Sequence, residues 1–256
     1  MESFGGRPVV EVSINGKGPY DFILDTGANI TVVDAALSQE LQLSSSGVST
    51  ALVGGGAGPQ TVNISEMRVG EAQLHDMMAA AMPLGGFFKD QGAPRGVLSA
   101  AMLPGYLLTF DYPGKQITLV TGELPRADEQ SIFSYPSGEV IPTLPIKVAG
   151  IETRIHVDTG APFGITLPMK FAKQVPLAAE PKEAKPVRTP QGEFPVSTAP
   201  VKGEIRIGKY IIVIDDVRFS DVNPGHSAPT GQVGGDVLQH FAVTLDSKNH
   251  RIRLAQ

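Results

Sequence analysis

Hydrophobic and polar residues alternate over most of this chain, which is the period of a half-buried strand. Val10, Val12 and Ile14 alternate with Glu11 and Ser13. Asn15-Gly16 then supplies a two-residue hairpin turn into the apolar run Tyr20–Leu24. In the second half Ile146-Lys147-Val148 leads through Ala149-Gly150 into Thr153–Val157. Further strands are expected at 48–53, 61–69, 107–111, 116–120, 193–207, 209–219, 241–246 and 250–254. Short helices are predicted at Asp34–Leu41, capped by Asp34, and at Pro168–Val175, with proline in the first turn. The pattern predicts an all-β protein with one or two helical turns in each half.

The pattern also repeats. Asp25-Thr26-Gly27-Ala28 follows Phe22-Ile23-Leu24 and precedes Ile30-Thr31-Val32-Val33. The same four letters return at Asp158-Thr159-Gly160-Ala161, between Ile155-His156-Val157 and Ile165-Thr166-Leu167. Gly96-Val97-Leu98 matches Gly231-Gln232-Val233, Leu108-Thr109-Phe110-Asp111 matches Val243-Thr244-Leu245-Asp246, and Ile117-Thr118-Leu119 matches Ile252-Arg253-Leu254, all at a spacing of 135. The two aspartates are 133 apart, and Pro162-Phe163-Gly164 lengthens the second turn to make up the difference. These matches describe a tandem duplication of a unit of roughly 120 residues. Residues 1–121 are expected to form an N-terminal lobe, 122–142 (with Pro125, Pro136, Ser137 and Gly138) a linker, and 143–256 a C-terminal lobe. Glu180–Pro190, rich in proline and charge, is expected to be a surface loop.

Composition narrows the function classes. Hydrophobic residues make up 41% of the 256 and charged residues 18%, which suits a packed core and argues against long disorder. A net charge of −5 with no Lys/Arg block argues against a nucleic-acid partner. No apolar run approaches the roughly 20 residues of a membrane-spanning helix. The absence of cysteine excludes disulfides, zinc-thiolate sites and cysteine nucleophiles, and leaves the compartment open. Met1-Glu2-Ser3-Phe4-Gly5-Gly6 lacks the pattern of a signal peptide. His75, His156, His226, His240 and His250 fall in no metal-ligand spacing, and no serine-nucleophile elbow or phosphate loop is present. Met77, Met78 and Met82 are expected to fill core or loop contacts, and Asp215-Asp216 to sit in a solvated turn.

The repeated turn carries the chemistry. One carboxylate on a tight turn at a strand end is usually structural, accepting backbone N–H groups. Two copies change that weighing. If the duplicated units pack about a pseudo-twofold axis, Asp25 and Asp158 meet at it. Carboxylates a few ångströms apart share one proton, so one becomes an acid and the other a base. Gly27 and Gly160 leave room for backbone N–H groups to approach. Thr26 and Thr159 carry hydroxyls suited to bonding across the interface and locking the two turns. Ala28 and Ala161 add no hydroxyl, which is expected to raise the working pH modestly. His156 lies on the same strand face as Asp158 and is expected to be a structural histidine.

These residues resemble the pepsin/retropepsin-type aspartic proteases, especially the bacterial retropepsin-like aspartyl proteases, with two units fused in one chain. The family motif hydrophobic-Asp-Thr-Gly-Ala matches at 24–28 and again at 157–161. The second signature matches Gly231-Gln232-Val233-Gly234-Gly235-Asp236-Val237-Leu238 except at Gln232, and reads Gly96-Val97-Leu98-Ser99-Ala100-Ala101-Met102-Leu103 in the first half. The resemblance implies a two-lobed, pepsin-like acid-protease fold of tandem duplicated β-barrel lobes with pseudo-twofold symmetry. It implies peptide-bond hydrolysis by a water activated between Asp25 and Asp158, a mechanism carried over from such dyads in general. It further implies a flap over the cleft, binding substrate through Val53, Gly54, Gly55 and Gly56 at the tip of Val53–Pro59, without the tyrosine of the pepsin pattern. Thr189-Pro190-Gln191-Gly192 is the corresponding piece of the second half. With both halves in one chain, a monomer acting on proteins or peptides is expected, with no metal or organic cofactor, in the periplasm or cell envelope.

Three departures bear on activity. Ser99 adds a side chain where the family has glycine, Pro162-Phe163-Gly164 lengthens the turn that carries Asp158, and Ala101 stands opposite Asp236. Together they motivate an alternative reading, a non-catalytic module with a protease-like cleft that captures peptides without cutting them.

Overall fold

In the computed structural model, which describes residues 1–49, 58–88, 92–189, 192–221 and 231–256, the predicted hairpin turns form as their residues require. Asn15 and Gly16 both take positive φ, at 50° and 77°, as do Ala149 and Gly150 at 48° and 89°. Two consecutive left-handed residues match the twist of the flanking strands, so each pair closes a tight hairpin. The first joins the antiparallel strands Arg7–Ile14 and Lys17–Asp25, and the second joins Thr143–Val148 and Ile151–Val157.

In the first lobe the strands close on themselves. Arg7–Ile14 pairs with Lys17–Asp25, followed in order by Gly96–Ser99, Thr31–Asp34, Ala72–Met82 and Gln60–Val69. Pairing of Val12 with Val69 returns the circuit to its start. Closure removes the sheet edges and points one face inward, where Ile14, Phe22, Leu24, Val33, Ile64, Met67 and Leu98 are buried. Asp34 caps the short helix Ala35–Glu40, accepting the Ala36 N–H at 3.1 Å. The strand Ala72–Met82 has no strand signal in its run Ala79-Ala80-Ala81; pairing on both sides, with Thr31–Asp34 and Gln60–Val69, holds it extended. Met77 within it is buried and Met78 exposed.

The second lobe traces a related circuit through Ile151–Val157, Gln232–Val233, Ile165–Leu167, Val217–Phe219 and Gly192–Ala199. The strands expected at 193–207 and 209–219 are each broken in two. Ile205–Ile207 and Tyr210–Ile212 stand apart on the other side of Thr143–Val148. Pro200, which has no N–H, and Gly203, at φ 138° and tight against Ala149, fall in the first break. The exposed Asp215-Asp216 pair falls in the second. The segment expected to be a surface loop at 180–190 contains the edge strand Lys182–Thr189, paired with Gly192–Ala199. Its lysines and proline suit an edge exposed to water. The second predicted helix is the 3₁₀ segment Met169–Lys173, with Pro168 at its cap rather than in its first turn.

A five-stranded sheet joins the lobes. Its order is Gln116–Val120, Leu107–Asp111, Ala242–Asp246, Arg251–Ala255 and Ile132–Ser134. Leu107–Asp111 and Ala242–Asp246 are repeat equivalents, and they pair antiparallel about Thr109 and Thr244. Phe110 faces Val243 and Leu108 faces Leu245, and the two threonine hydroxyls hydrogen bond at 2.9 Å. Equivalent residues that pair with each other mark the pseudo-twofold axis. The same axis brings the two Asp-Thr-Gly-Ala turns together.

Candidate active site

Each candidate aspartate ends a buried strand that has a parallel neighbour. Asp25 closes Lys17–Asp25 beside Ser99, and Asp158 follows Ile151–Val157, with its N–H donating to Val233 O at 2.9 Å. The two carboxyl groups are close enough that each perturbs the other. The glycines account for the closeness. A Cβ on Gly27 would lie 2.5 Å from Asp158 Cγ, and one on Gly160 would lie 2.5 Å from Asp25 Cγ. Each glycine therefore faces the carboxyl of the opposite lobe, where no side chain fits.

Backbone donors converge on the pair. Gly27 N–H donates to Asp25 Oδ1 at 2.7 Å, and Ala161 N–H donates to Asp158 Oδ1 at 3.0 Å. The Gly160 N–H also favours the charged form of both carboxyls. Beneath them the threonines exchange bonds across the lobe boundary. Thr26 N–H donates to Thr159 Oγ1 at 3.1 Å, and Thr159 N–H donates to Thr26 Oγ1 at 3.0 Å. The hydroxyls pass the chain onward, Thr26 Oγ1 to Val157 O at 2.5 Å and Thr159 Oγ1 to Leu24 O at 2.8 Å. Both threonines are buried, at 2% and 0% exposure, so each of these bonds is shielded from competing water.

Burial sets the electrostatics. It pushes both carboxyls above the ordinary carboxylate value, and the negative charge of Asp25 pushes Asp158 further up. The Gly27 N–H opposes the rise at Asp25. Such a pair holds one proton between its oxygens and titrates as a unit.

Three contributors carry no motif. Arg7 Nε donates to Gly160 O at 2.7 Å, and its positive charge acts on both Asp158 and Asp25. The phenol of Tyr112 is buried with no partner on its hydroxyl among the described residues, and burial together with the negative dyad pushes its pKa well up. The Arg218 guanidinium lies 3.8 Å from the Phe163 ring centroid and within the field of Asp236. The duplication offered a signal for two of them. Aligned by the strand pairs that lead to each turn, Arg7 stands opposite Ile141, and at the later spacing of 135 Asp236 stands opposite Ala101. Arg218 occupies the strand position beside Thr166 that Ala79 occupies beside Thr31. His156 is buried, held in register between Thr143 and Gln232.

The departures from the family pattern are absorbed locally. Ser99 is fully buried; its hydroxyl donates to Ala28 O at 2.6 Å and accepts the Ala101 N–H at 3.3 Å. At the equivalent place in the second lobe a Cβ on Gly234 would lie 2.5 Å from Phe163 O, so only glycine fits. There Gly235 N–H bonds Ala161 O at 2.8 Å, doing with backbone what Ser99 does with a side chain. The longer turn at 162–164 is tied down by Gly234 N–H to Gly164 O at 2.9 Å and by the stack of Phe163 on Arg218.

The expected flap tip, Val53, Gly54, Gly55 and Gly56, lies outside the described residues, as do Pro190 and Gln191. The strands Ser45–Ser49 and Gln60–Val69 that flank the first of these pair with each other. Among the described residues no three His, Asp or Glu side chains are placed to hold a metal ion, and no helix is long and apolar enough to cross a membrane.

A family model described as an aspartyl protease matches the chain twice, over residues 10–103 and 144–237. One turn lies in each match. No curated protein matches the chain.

Proposed function

The chain belongs to the aspartyl protease family, and on that footing we propose that it is an endopeptidase that hydrolyses peptide bonds with a water held between Asp25 and Asp158. The observation that carries this reading is the contact between two carboxyls supplied by equivalent turns of two duplicated halves. Among the described residues neither carboxyl is in an ion pair that would make it a plain structural one.

We assign the shared proton to Asp158 and the charge to Asp25. Asp25, ionised, takes a proton from the water as its oxygen attacks the amide carbon. Asp158 gives its proton to the carbonyl oxygen, so the tetrahedral diol forms without free charge. The diol then collapses: Asp25 passes its proton to the amide nitrogen, the C–N bond breaks, Asp158 takes the proton of one diol hydroxyl, and the pair again holds one proton. Thr26, Gly27, Ala28, Thr159, Gly160 and Ala161 hold the geometry through the bonds described above. The glycine-rich segment at 53–56 is assigned to cover bound substrate, an extended peptide. One chain supplies both carboxyls, so the working unit is a monomer.

The test is cleavage of an unfolded, casein-like protein from about pH 3 to 8 by the wild type, Asp25→Asn and Asp158→Asn. Cleavage by the wild type and by neither variant is the expected result. A folded wild type that cuts nothing at any pH would overturn the assignment and leave a peptide-capturing module.

A further inference from the structure

Besides the threonine exchange, the start of the first barrel strand reaches into the active-site turn of the second lobe. Gly6 sits close enough to the lengthened turn that a Cβ on it would lie 3.6 Å from Pro162 Cβ, and a Cβ on Gly235 would lie 3.3 Å from Gly6 O. The next residue, Arg7, begins the first barrel strand, and its half-buried side chain crosses the lobe boundary. Its Nε–H meets Gly160 O at 2.7 Å, and its guanidinium lies over the Phe88 ring, 6.0 Å from the centroid.

The carbonyl that Arg7 holds belongs to a particular peptide unit. Gly160 C=O and Ala161 N–H are the two ends of one planar amide. Ala161 N–H is the donor on Asp158 Oδ1 at 3.0 Å. A cationic donor on the oxygen of an amide polarises it and strengthens its N–H as a donor in turn. We propose that Arg7 is a positioning residue of the dyad, clamping from the first lobe the peptide whose N–H orients Asp158. The inference rests on the protease reading for its consequence in catalysis, but not for its geometry.

The arrangement is one-sided. The repeat equivalent of Arg7, two residues before Thr143 as Arg7 is two before Val9, is Ile141, which carries no charge, so that position offers the first turn no cationic clamp. In the first lobe Asp25 instead takes its donor from Gly27 N–H, and the neighbouring Ala28 carbonyl is held by the neutral Ser99 hydroxyl. A symmetric fold thus gives its two carboxyls unequal surroundings, as an acid and a base with distinct tasks require. The charged and titratable groups around the pair are Arg7, the Tyr112 phenol, and Arg218 with Asp236 behind the 162–164 turn. Arg7 supplies positive charge that acts on both dyad members, so it favours the singly ionised state over the neutral one.

The experiment compares wild type, Arg7→Lys and Arg7→Met in two ways. In cleavage of the unfolded substrate, Arg7→Met is expected to lower kcat by about ten- to a hundredfold with little change in KM. Its acid limb should move up by about one pH unit, because the dyad then ionises less readily. Arg7→Lys is expected to keep the limb near its wild-type position while losing part of kcat, separating charge from clamp. In unfolding measured against pH, which needs no catalysis, the pH at which dyad deprotonation lowers stability should rise in Arg7→Met alone. An unmoved limb and an unmoved stability profile in Arg7→Met would overturn the proposal. If the wild type cuts nothing, the protease reading fails by itself and the stability profile still decides the role of Arg7.

Discussion

Thr26 and Thr159 exchange hydrogen bonds across the boundary between the lobes, each backbone N–H donating to the other's hydroxyl, at 3.1 and 3.0 Å. Each hydroxyl then donates to a strand-end carbonyl of the opposite lobe. Removing one hydroxyl strands a buried donor and a buried acceptor together. Thr26→Ala is therefore expected to cost about 2–3 kcal/mol of stability and to reduce cleavage, while Thr26→Ser, which keeps the oxygen, should recover most of both. Denaturant unfolding of the two variants checks this, and equal midpoints for them would refute it.

Asp25→Asn and Asp158→Asn should each remove at least about a thousandfold of the cleavage rate, since neither the base nor the acid step can be shared with the partner. Both variants should stay folded, because an amide retains the acceptor that Gly27 N–H and Ala161 N–H need. Equal and near-complete loss in the two single variants, with unchanged far-ultraviolet circular dichroism, is the expected result. Substantial activity in either would separate the two carboxyls.

The dyad also leaves a mark on stability. Both carboxyls have a folded pKa above the ordinary value of 3.8, so the folded state holds the dyad proton where the unfolded chain has lost it. Stability from this source is fully present below about pH 3.8 and is lost as pH rises toward the raised value. One proton gives a slope of at most about 1.4 kcal/mol per pH unit. Asp158→Asn has no such proton, so its stability relative to wild type should climb with pH through that window and level off above it. Guanidinium unfolding at a series of pH values measures the difference, and a falling trend would contradict the assignment of a raised pKa.

Ser99 and Gly234 occupy equivalent positions with opposite demands. Ser99→Gly removes the donor to Ala28 O and the cap on Ala101 N–H, and should cost about 1–3 kcal/mol. Gly234→Ala pushes a methyl group into Phe163 O and Ala161 O, so it should cost more, about 3 kcal/mol or above, and distort the turn that carries Asp158. Thermal unfolding ranks the two, and a milder Gly234→Ala would show that the 162–164 turn can give way.

The sequence alone determined the duplication, the strand period, the two hairpin turns, and the placing of one carboxylate at the end of a strand in each half. These are local properties: alternation needs only the pleat, and Asn15-Gly16 needs only two left-handed residues. The tertiary structure decided what distance along the chain conceals. It held Ala79-Ala80-Ala81 extended between two partners, broke the 193–207 strand beside Ala149, and set an arginine against a carbonyl 153 residues away. It also made room for Ser99 in one lobe while denying it to Gly234 in the other. Each of these depends on how two lobes pack about an axis, and the desolvation that raises the dyad exists only once they have closed on it.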